Sequence, residues 1–203
     1  EPHPNAGANR VLVSAPSKKR EDCDAVLLPG INLDTFDPEQ HKIVSLASCT
    51  TNALAPVVKV VIENFGIRYG LFSTVHAYTN TQALTDQPMK DRRDSWAATE
   101  NIIPSSSGAA RALAFIWKDL KISGKAYRVP TRTGSIAELN LLTERPVTVE
   151  QVQRDLRQFR EGLHHEVVLR AGSRDPKCIR FLERIAADQR GRNLASQCDD
   201  RYG

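Results

Sequence analysis

The sequence lacks the features that define several large classes of protein. No apolar run approaches the roughly 20 residues that a membrane-spanning helix needs. Residues 1–6 have neither the basic start nor the apolar stretch of a secretory signal. The four cysteines lie far apart with no C-x-x-C pair, which disfavours a zinc site and a disulfide scaffold. We therefore expect a cytoplasmic protein that holds no metal and contacts no membrane.

Charge is also too weak and too mixed to indicate a nucleic-acid partner. The chain carries 28 Lys and Arg against 24 Asp and Glu, a net charge of +4. With 203 residues, of which 40% are hydrophobic, it can bury one core or one domain with an appendage.

Cys49 is the residue around which a candidate site can be built. It follows Ser48 and opens a stretch with apolar residues at steps of three and four, which predicts a helix ending at Gly66. Pro56 fits this helix if it falls in the first turn. A cysteine at a helix N-terminus is stabilised as a thiolate by free N–H groups and the helix dipole. The alternative is a buried cysteine that packs as a small hydrophobic residue.

The rest of the pattern predicts a mixed sheet with helices packed on it. Strands are expected at residues 10–16, 25–28, 42–45, 67–78, 125–131 and 135–143. A hydroxyl-rich cap precedes a helix at 109–117, and Thr148 with Gln151 resembles a capping box before a third helix. From about residue 163 the chain becomes arginine-rich. There, Cys178, Ile179, Leu182, Ile185 and Ala186 predict one amphipathic helix, with a disordered end beyond it.

A reactive thiol needs a base, and His76 is the best candidate among five histidines. It closes an apolar strand just before a polar loop, where side chains commonly face a cleft. Short donors also occur at strand ends and helix starts, where anions such as phosphate bind, and Arg128 can add a bidentate clamp. These donors are Ser48, Thr50, Thr79, Ser107 and the N–H of Gly108. Together they indicate a phosphorylated substrate beside a thiolate, although each could be an ordinary cap. A thiolate that attacks an aldehyde gives a thiohemiacetal, whose oxidation to a thioester needs a hydride acceptor.

Four motifs in order resemble phosphorylating glyceraldehyde-3-phosphate dehydrogenases. They are A-S-C-T-T-N at 47–52, T-V-H-A-Y-T-N at 74–80, N-I-I-P at 101–104 with S-G-A-A at 107–110, and R-V-P-T at 128–131. The resemblance runs from about residue 6 to about residue 162. It implies Cys49 as nucleophile, His76 as base, and phosphate contacts at Ser48, Thr50, Thr79, Ser107, Gly108 and Arg128. It also implies NAD as cofactor, touched by Ser14, with an aldehyde phosphate and inorganic phosphate as substrates, and a homotetramer.

The resemblance also sets the expected fold and domains. The fold class is α/β, with a mixed, largely antiparallel sheet and helices on one face, preceded by the last strands of a Rossmann domain. Residues 1–48 are the Rossmann remnant, 49–162 the catalytic domain, and 163–203 a divergent tail. The sequence departs from the family in having no G-x-G-x-x-G loop, and Asp94 stands where many members carry an arginine for inorganic phosphate. We expect little NAD binding or turnover by this chain alone. Two alternatives stay open: a non-catalytic fragment or interaction protein, and a dehydrogenase of erythrose 4-phosphate.

Overall fold

The first part of the fold is a small parallel sheet that leads to Cys49. The computed structural model describes residues 7–161, 169–172 and 178–185. Strands β1 (Val11–Val13) and β2 (Ala25–Val26) flank β3 (Ile43–Ser45), and both pair with it in parallel. Because all three strands run the same way, their carboxyl ends share one edge, and β3 continues from that edge to Cys49.

Within the described residues, the second sheet has six strands in the order β5-β6-β4-β7-β9-β8. They are β4 (Ile67–Ala77), β5 (Ile103–Ser105), β6 (Ile122–Val129), β7 (Ser135–Thr143), β8 (Leu169–Gly172) and β9 (Cys178–Ile185). Of the pairings among these strands, β4 with β6 is parallel and the other four are antiparallel. The predicted α/β class with a mixed, largely antiparallel sheet is confirmed.

Three α-helices cover one face of this sheet. They are α1 (Cys49–Phe65), α2 (Ala109–Ile116) and α3 (Val149–Glu161). Val57 and Val61 of α1 join the same buried cluster as Phe72 of β4 and Leu139 of β7. Burying side chains of this size stabilises a fold by about 1.5–3 kcal/mol each. The helix predicted from Cys49 to Gly66 is confirmed, but Pro56 lies inside it rather than in its first turn, so one internal hydrogen bond is missing.

The opposite face of the sheet keeps large apolar side chains in solvent. Alternation along β4 and β7 places one set of residues in the core and the other set outside. The outward set contains Tyr69, Leu71, Val75, Ile136 and Leu142, each between 37% and 48% exposed. We call these five residues the open sheet face.

Three sequence predictions need correction. The helix expected at Cys178, Ile179, Leu182 and Ile185 is wrong, because Cys178–Ile185 is strand β9. The backbone edge of β7 offers unpaired N–H and C=O groups, and pairing with β9 satisfies them along eight residues. Ala186 and the end predicted to be disordered lie outside the described residues. The short strand β5 was not predicted, and the cap of α2 is Gly108 without a side-chain hydrogen bond, rather than a hydroxyl residue.

The capping box before α3 is confirmed. The Thr148 N–H donates to Gln151 Oε1 at 2.8 Å, and the Gln151 N–H donates to Thr148 Oγ1 at 3.3 Å. Among the described residues, no helix has the length and apolar character needed to cross a membrane.

Candidate active site

The turn between β3 and α1 aims Cys49 out of the fold. Ala47, buried in this turn, has a φ of +57°, which places it in the left-handed region that residues other than glycine rarely adopt. Ser48 then caps the helix, its Oγ accepting from the Thr51 N–H at 3.1 Å. Cys49 is the first residue of α1, and its side chain is exposed. The alternative, a buried cysteine that packs as a small hydrophobic residue, is therefore wrong, because Cys49 is exposed.

His76 reaches this thiol from the end of β4. Cys49 Sγ lies 3.8 Å from His76 Nε2, and His76 Nδ1 lies 2.7 Å from the carbonyl oxygen of Ala77. A carbonyl oxygen only accepts hydrogen bonds, so Nδ1 must carry a proton and donate it. In a neutral ring this leaves Nε2 as the acceptor that faces the thiol, which is the tautomer a base at this position requires.

Each member of the pair favours the charged form of the other. The hydrogen bond from His76 lowers the pKa of Cys49 below its ordinary value; burial opposes the shift, and the His76 charge and the Thr50 N–H and hydroxyl support it. The hydrogen bond to Cys49 likewise raises the pKa of His76, against burial and the Arg128 charge. The two pKa values thus move toward each other, which favours the thiolate–imidazolium pair over the neutral pair.

Arg128 lies beside His76 on the neighbouring strand. The two residues are direct partners in the parallel pairing of β4 and β6, and Arg128 Nη1 approaches the Ala77 carbonyl oxygen at 3.5 Å. Its Nε is buried and has no hydrogen-bond partner among the described residues. Burial lowers the pKa of Arg128, while the charges of Cys49 and Asp94 act to raise it. A half-buried guanidinium with a donor unmet is suited to bind an anion beside the thiol.

Thr79 lies just beyond the end of β4 and is held by a glutamine. Its N–H and its Oγ1 each bond to Gln82 Oε1 at 3.0 Å, and Thr81 Oγ1 lies 3.0 Å from Thr79 Oγ1. Gln82 is 5% exposed, so this amide belongs to the interior of the loop. Sequence reasoning missed Gln82. The only feature of the sequence that could have indicated its role is its position three residues after Thr79, a candidate phosphate ligand.

The other predicted residues sit at helix starts or strand ends. Ser48 Oγ is engaged in the cap of α1, and Thr50 is buried with its polar groups toward the Cys49 thiol. Ser107 Oγ accepts from the Ala109 N–H at 3.3 Å, so its contact is local to α2. A side-chain carbon built on Gly108 would meet nothing within 4 Å, so the start of α2 is open to a ligand.

Ser14, predicted to touch the cofactor, is placed near the site by its strand. It is exposed and follows β1, whose Val13 pairs with Ser45 of β3. It therefore lies at the sheet edge from which the chain runs to Cys49, the edge at which α/β sheets bind ligands.

The geometry defines a class of site: an exposed cysteine at a helix start, a histidine whose Nε2 faces the sulfur, and an arginine that pairs with this histidine across adjacent strands. Comparison with known proteins gives a narrower result. The family model described as "Glyceraldehyde 3-phosphate dehydrogenase, C-terminal domain" matches residues 48–181. The chain belongs to this family. Because the match continues to residue 181, the prediction that the resemblance ends near residue 162 is wrong.

Curated relatives agree with the family assignment. The chain is 46% identical over 162 residues to a glyceraldehyde-3-phosphate dehydrogenase of Geobacillus stearothermophilus, covering 79% of this chain and 48% of that protein. It is 49% identical over 154 residues to one of Streptomyces coelicolor, covering 75% and 45%. It thus spans about half the length of the curated relatives it matches.

Proposed function

We propose that this chain supplies the catalytic thiolate site of an NAD-dependent dehydrogenase that oxidises and phosphorylates glyceraldehyde 3-phosphate. The observation that carries the proposal is the contact of 3.8 Å between Cys49 Sγ and His76 Nε2, with His76 Nδ1 committed to the Ala77 carbonyl. This arrangement provides a nucleophile, Cys49, and a base, His76, whose neutral ring is held in the tautomer that can accept the thiol proton. The family and the names of the relatives support the aldehyde phosphate as substrate.

In this function the Cys49 thiolate adds to the carbonyl carbon of the aldehyde and forms a thiohemiacetal. His76 Nε2, which carries the proton from the thiol, delivers it to the oxygen that develops negative charge, so that a hydroxyl forms. The same nitrogen then takes the hydroxyl proton back as the carbon is oxidised to a thioester. The Ala77 carbonyl holds the ring in place through both proton transfers.

The side chains and N–H groups that can bind anions would orient the substrate. Arg128 offers a buried donor with no partner among the described residues, and Thr79 follows two residues after Ala77, whose carbonyl oxygen Arg128 Nη1 approaches. We assign these two, with the start of α2 at Ser107 and Gly108 and the hydroxyls of Ser48 and Thr50, to the phosphate groups of substrate and acceptor. The hydroxyls of Ser48 and Thr50 act chiefly through the position of α1 and its thiolate, because their contacts are within that turn.

Among the described residues, we assign a contact with NAD only to its nicotinamide end. Ser14 is exposed at the sheet edge that leads to Cys49, so we propose that it contacts the nicotinamide side. Bound NAD would supply the hydride acceptor. The sequence contains no G-x-G-x-x-G loop for the pyrophosphate, so we expect this polypeptide alone to hold NAD weakly. The Cys49 thiol needs a reducing compartment, which favours the cytoplasm.

Assembly into a homo-oligomer is the third part of the proposal. The open sheet face presents five large apolar side chains on the adjacent strands β4 and β7, with Ser73, Glu138 and Asn140 on the same face. Large exposed apolar side chains grouped on one face mark an interaction site, and a second copy of the chain offers an identical face. We therefore propose that copies associate, as a tetramer in the assembled enzyme.

Two measurements on the purified chain test the function. The first compares alkylation of its cysteines by iodoacetamide at neutral pH, with peptide mass mapping to identify each site. We expect Cys49 to react at least about tenfold faster than Cys23, Cys178 or Cys198, because only a thiolate attacks the reagent. The second is a dehydrogenase assay with NAD, phosphate and aldehyde, in which we expect little turnover by the chain alone. Equal labelling of all four thiols would refute the thiolate site, whereas robust turnover would refute only the expected weak NAD binding.

A further inference from the structure

The amide of Gln82 ties the candidate phosphate ligand Thr79 to a carboxylate. Gln82 Oε1 accepts two hydrogen bonds from Thr79, and Nε2 donates to Thr81 Oγ1 at 2.8 Å and to Asp94 Oδ1 at 3.0 Å. The orientation of the amide is fixed, because a backbone N–H faces its oxygen and a carboxylate faces its nitrogen. Both hydrogens and both acceptor positions are in use, so Asp94 is held in place beside the Thr79 turn.

The threonine hydroxyls are committed in the same network. The Thr79 hydroxyl donates to Gln82 Oε1, so its oxygen can only accept from Thr81 in the 3.0 Å contact between the two hydroxyls. Thr81 in turn accepts from Gln82 Nε2. A phosphate that needs the Thr79 hydroxyl as donor must therefore break a closed ring of three hydrogen bonds.

Asp94 also acts on the guanidinium that lies beside the thiol. Burial lowers the pKa of Arg128, and the charges of Cys49 and Asp94 oppose that shift, so Asp94 lies within electrostatic reach of the group assigned to phosphate. Arg93 pairs with Asp91 at 2.6 Å and holds the pKa of Asp91 down to about 2, while the Asp94 charge also contributes to the raised pKa of Arg93. Asp94 therefore acts electrostatically on both guanidinium groups.

We propose that Asp94 is a specificity-determining residue of this site, whose carboxylate, fixed by Gln82 beside Thr79, weakens the binding of phosphate dianions. The proposal rests on the assignment of Thr79 to phosphate made above. A dianion bound at Thr79 also meets the negative charge of Asp94, because the single amide of Gln82 bonds to both residues, and like charges this close repel even near a protein surface. The site thereby favours ligands that carry less negative charge at this position.

The test is the affinity for inorganic phosphate, measured by isothermal titration calorimetry at constant ionic strength. Asp94→Asn removes the charge but keeps an amide oxygen that can accept from Gln82 Nε2. We expect it to raise the association constant about fivefold or more. Asp94→Glu retains the charge and should show no gain. Glu100→Gln is the matched control, because Glu100 is exposed in the same segment and the change in net charge is identical.

Each outcome decides the proposal. Phosphate affinity that is the same in Asp94→Asn and the parent, including no detectable binding by either, overturns it, and so does an equal gain in Glu100→Gln. Far-ultraviolet circular dichroism and urea unfolding establish that each variant is folded before titration. Iodoacetamide labelling of Cys49 in the same samples distinguishes a failure of the Asp94 proposal from a failure of the proposed function. A rapidly labelled Cys49 with unchanged phosphate affinity refutes the role of Asp94 alone, whereas a slow Cys49 in the parent refutes the proposed function.

Discussion

At the scale of single residues, the site depends on one hydrogen bond that lies behind the reacting atoms. The Ala77 carbonyl accepts from His76 Nδ1 and thereby presents the unprotonated Nε2 to Cys49. The pairing shifts the two pKa values in opposite directions, the thiol downward and the imidazole upward. The neighbour therefore favours the thiolate form of Cys49, and the start of helix α1 adds to the effect.

Replacing His76 by Asn should make Cys49 an ordinary thiol. Because the hydrogen bond from His76 is the largest cause of the lowered pKa, its loss moves the midpoint of the alkylation profile to higher pH. Each unit of that shift reduces the thiolate fraction below the midpoint about tenfold, so labelling at neutral pH should slow by about that factor. The measurement is the rate of iodoacetamide alkylation of Cys49 against pH. His41→Asn is the control, and coincident profiles for parent and His76→Asn would contradict the prediction.

The two pKa shifts also make the stability of the folded chain depend on pH. The raised pKa of His76 stabilises the folded chain at low pH, and this contribution is lost as pH rises through the folded-state pKa. The lowered pKa of Cys49 stabilises the fold above the unfolded thiol pKa, and this contribution is lost as pH falls through the lowered value.

Sequence could place Cys49 and His76 because each marks the junction of a regular element with a loop. Apolar periodicity predicts where α1 begins and where β4 ends, and the neighbouring elements then bring the two together. Gln82 and Asp94 could not be assigned in this way. Gln82 lies in a loop and Asp94 in the short 3-10 helix Arg92–Ser95, both between β4 and β5. No period links the spacing of these two residues to a distance, and only the folded segment shows that their side chains meet.

At the scale of secondary-structure elements, local chemistry was predictable where the partners are close in sequence. Thr148 and Gln151 are three residues apart, and their reciprocal bonds form whatever α3 packs against. Strand β9 shows the opposite case. Its apolar spacing suits a helix, but the free edge of β7 decides its conformation, and that edge is remote in sequence.

Removing the Thr148 hydroxyl should destabilise the start of α3. Thr148→Ala leaves the Gln151 N–H without its side-chain acceptor, and losses at this position typically cost about 1 kcal/mol. The free energy of unfolding in urea, followed by circular dichroism, measures the effect. Thr133→Ala changes an exposed threonine in the turn before β7 and should alter stability by less than about 0.5 kcal/mol. Equal losses in both variants would mean that the capping box contributes nothing specific.

At the scale of the whole molecule, the site lies where two sheets meet. The parallel sheet delivers Cys49 through β3, while the larger sheet delivers His76 and Arg128 on adjacent strands. Helix α1 belongs to both parts, because it begins at the nucleophile and packs its apolar side against the larger sheet. The helices that position the site therefore occupy one face of the larger sheet, and within the described part of the chain the other face stays uncovered.

Self-association through the open sheet face should respond to a single charge placed on it. Leu71 is 48% exposed on β4, between Tyr69 and Val75 on the same face. Leu71→Lys would bury an unpaired charge if two such faces pack together, so we expect it to shift the chain toward smaller assemblies. Size-exclusion chromatography with light scattering over a concentration series measures the mass. Leu84→Lys is the matched control, because Leu84 is 60% exposed but lies in the loop after β4. If the parent is monomeric at all concentrations, or if both variants dissociate equally, the open sheet face is not the interface. A mass that falls only in Leu71→Lys would place the contact on that face, since the two substitutions add the same charge and remove the same side chain.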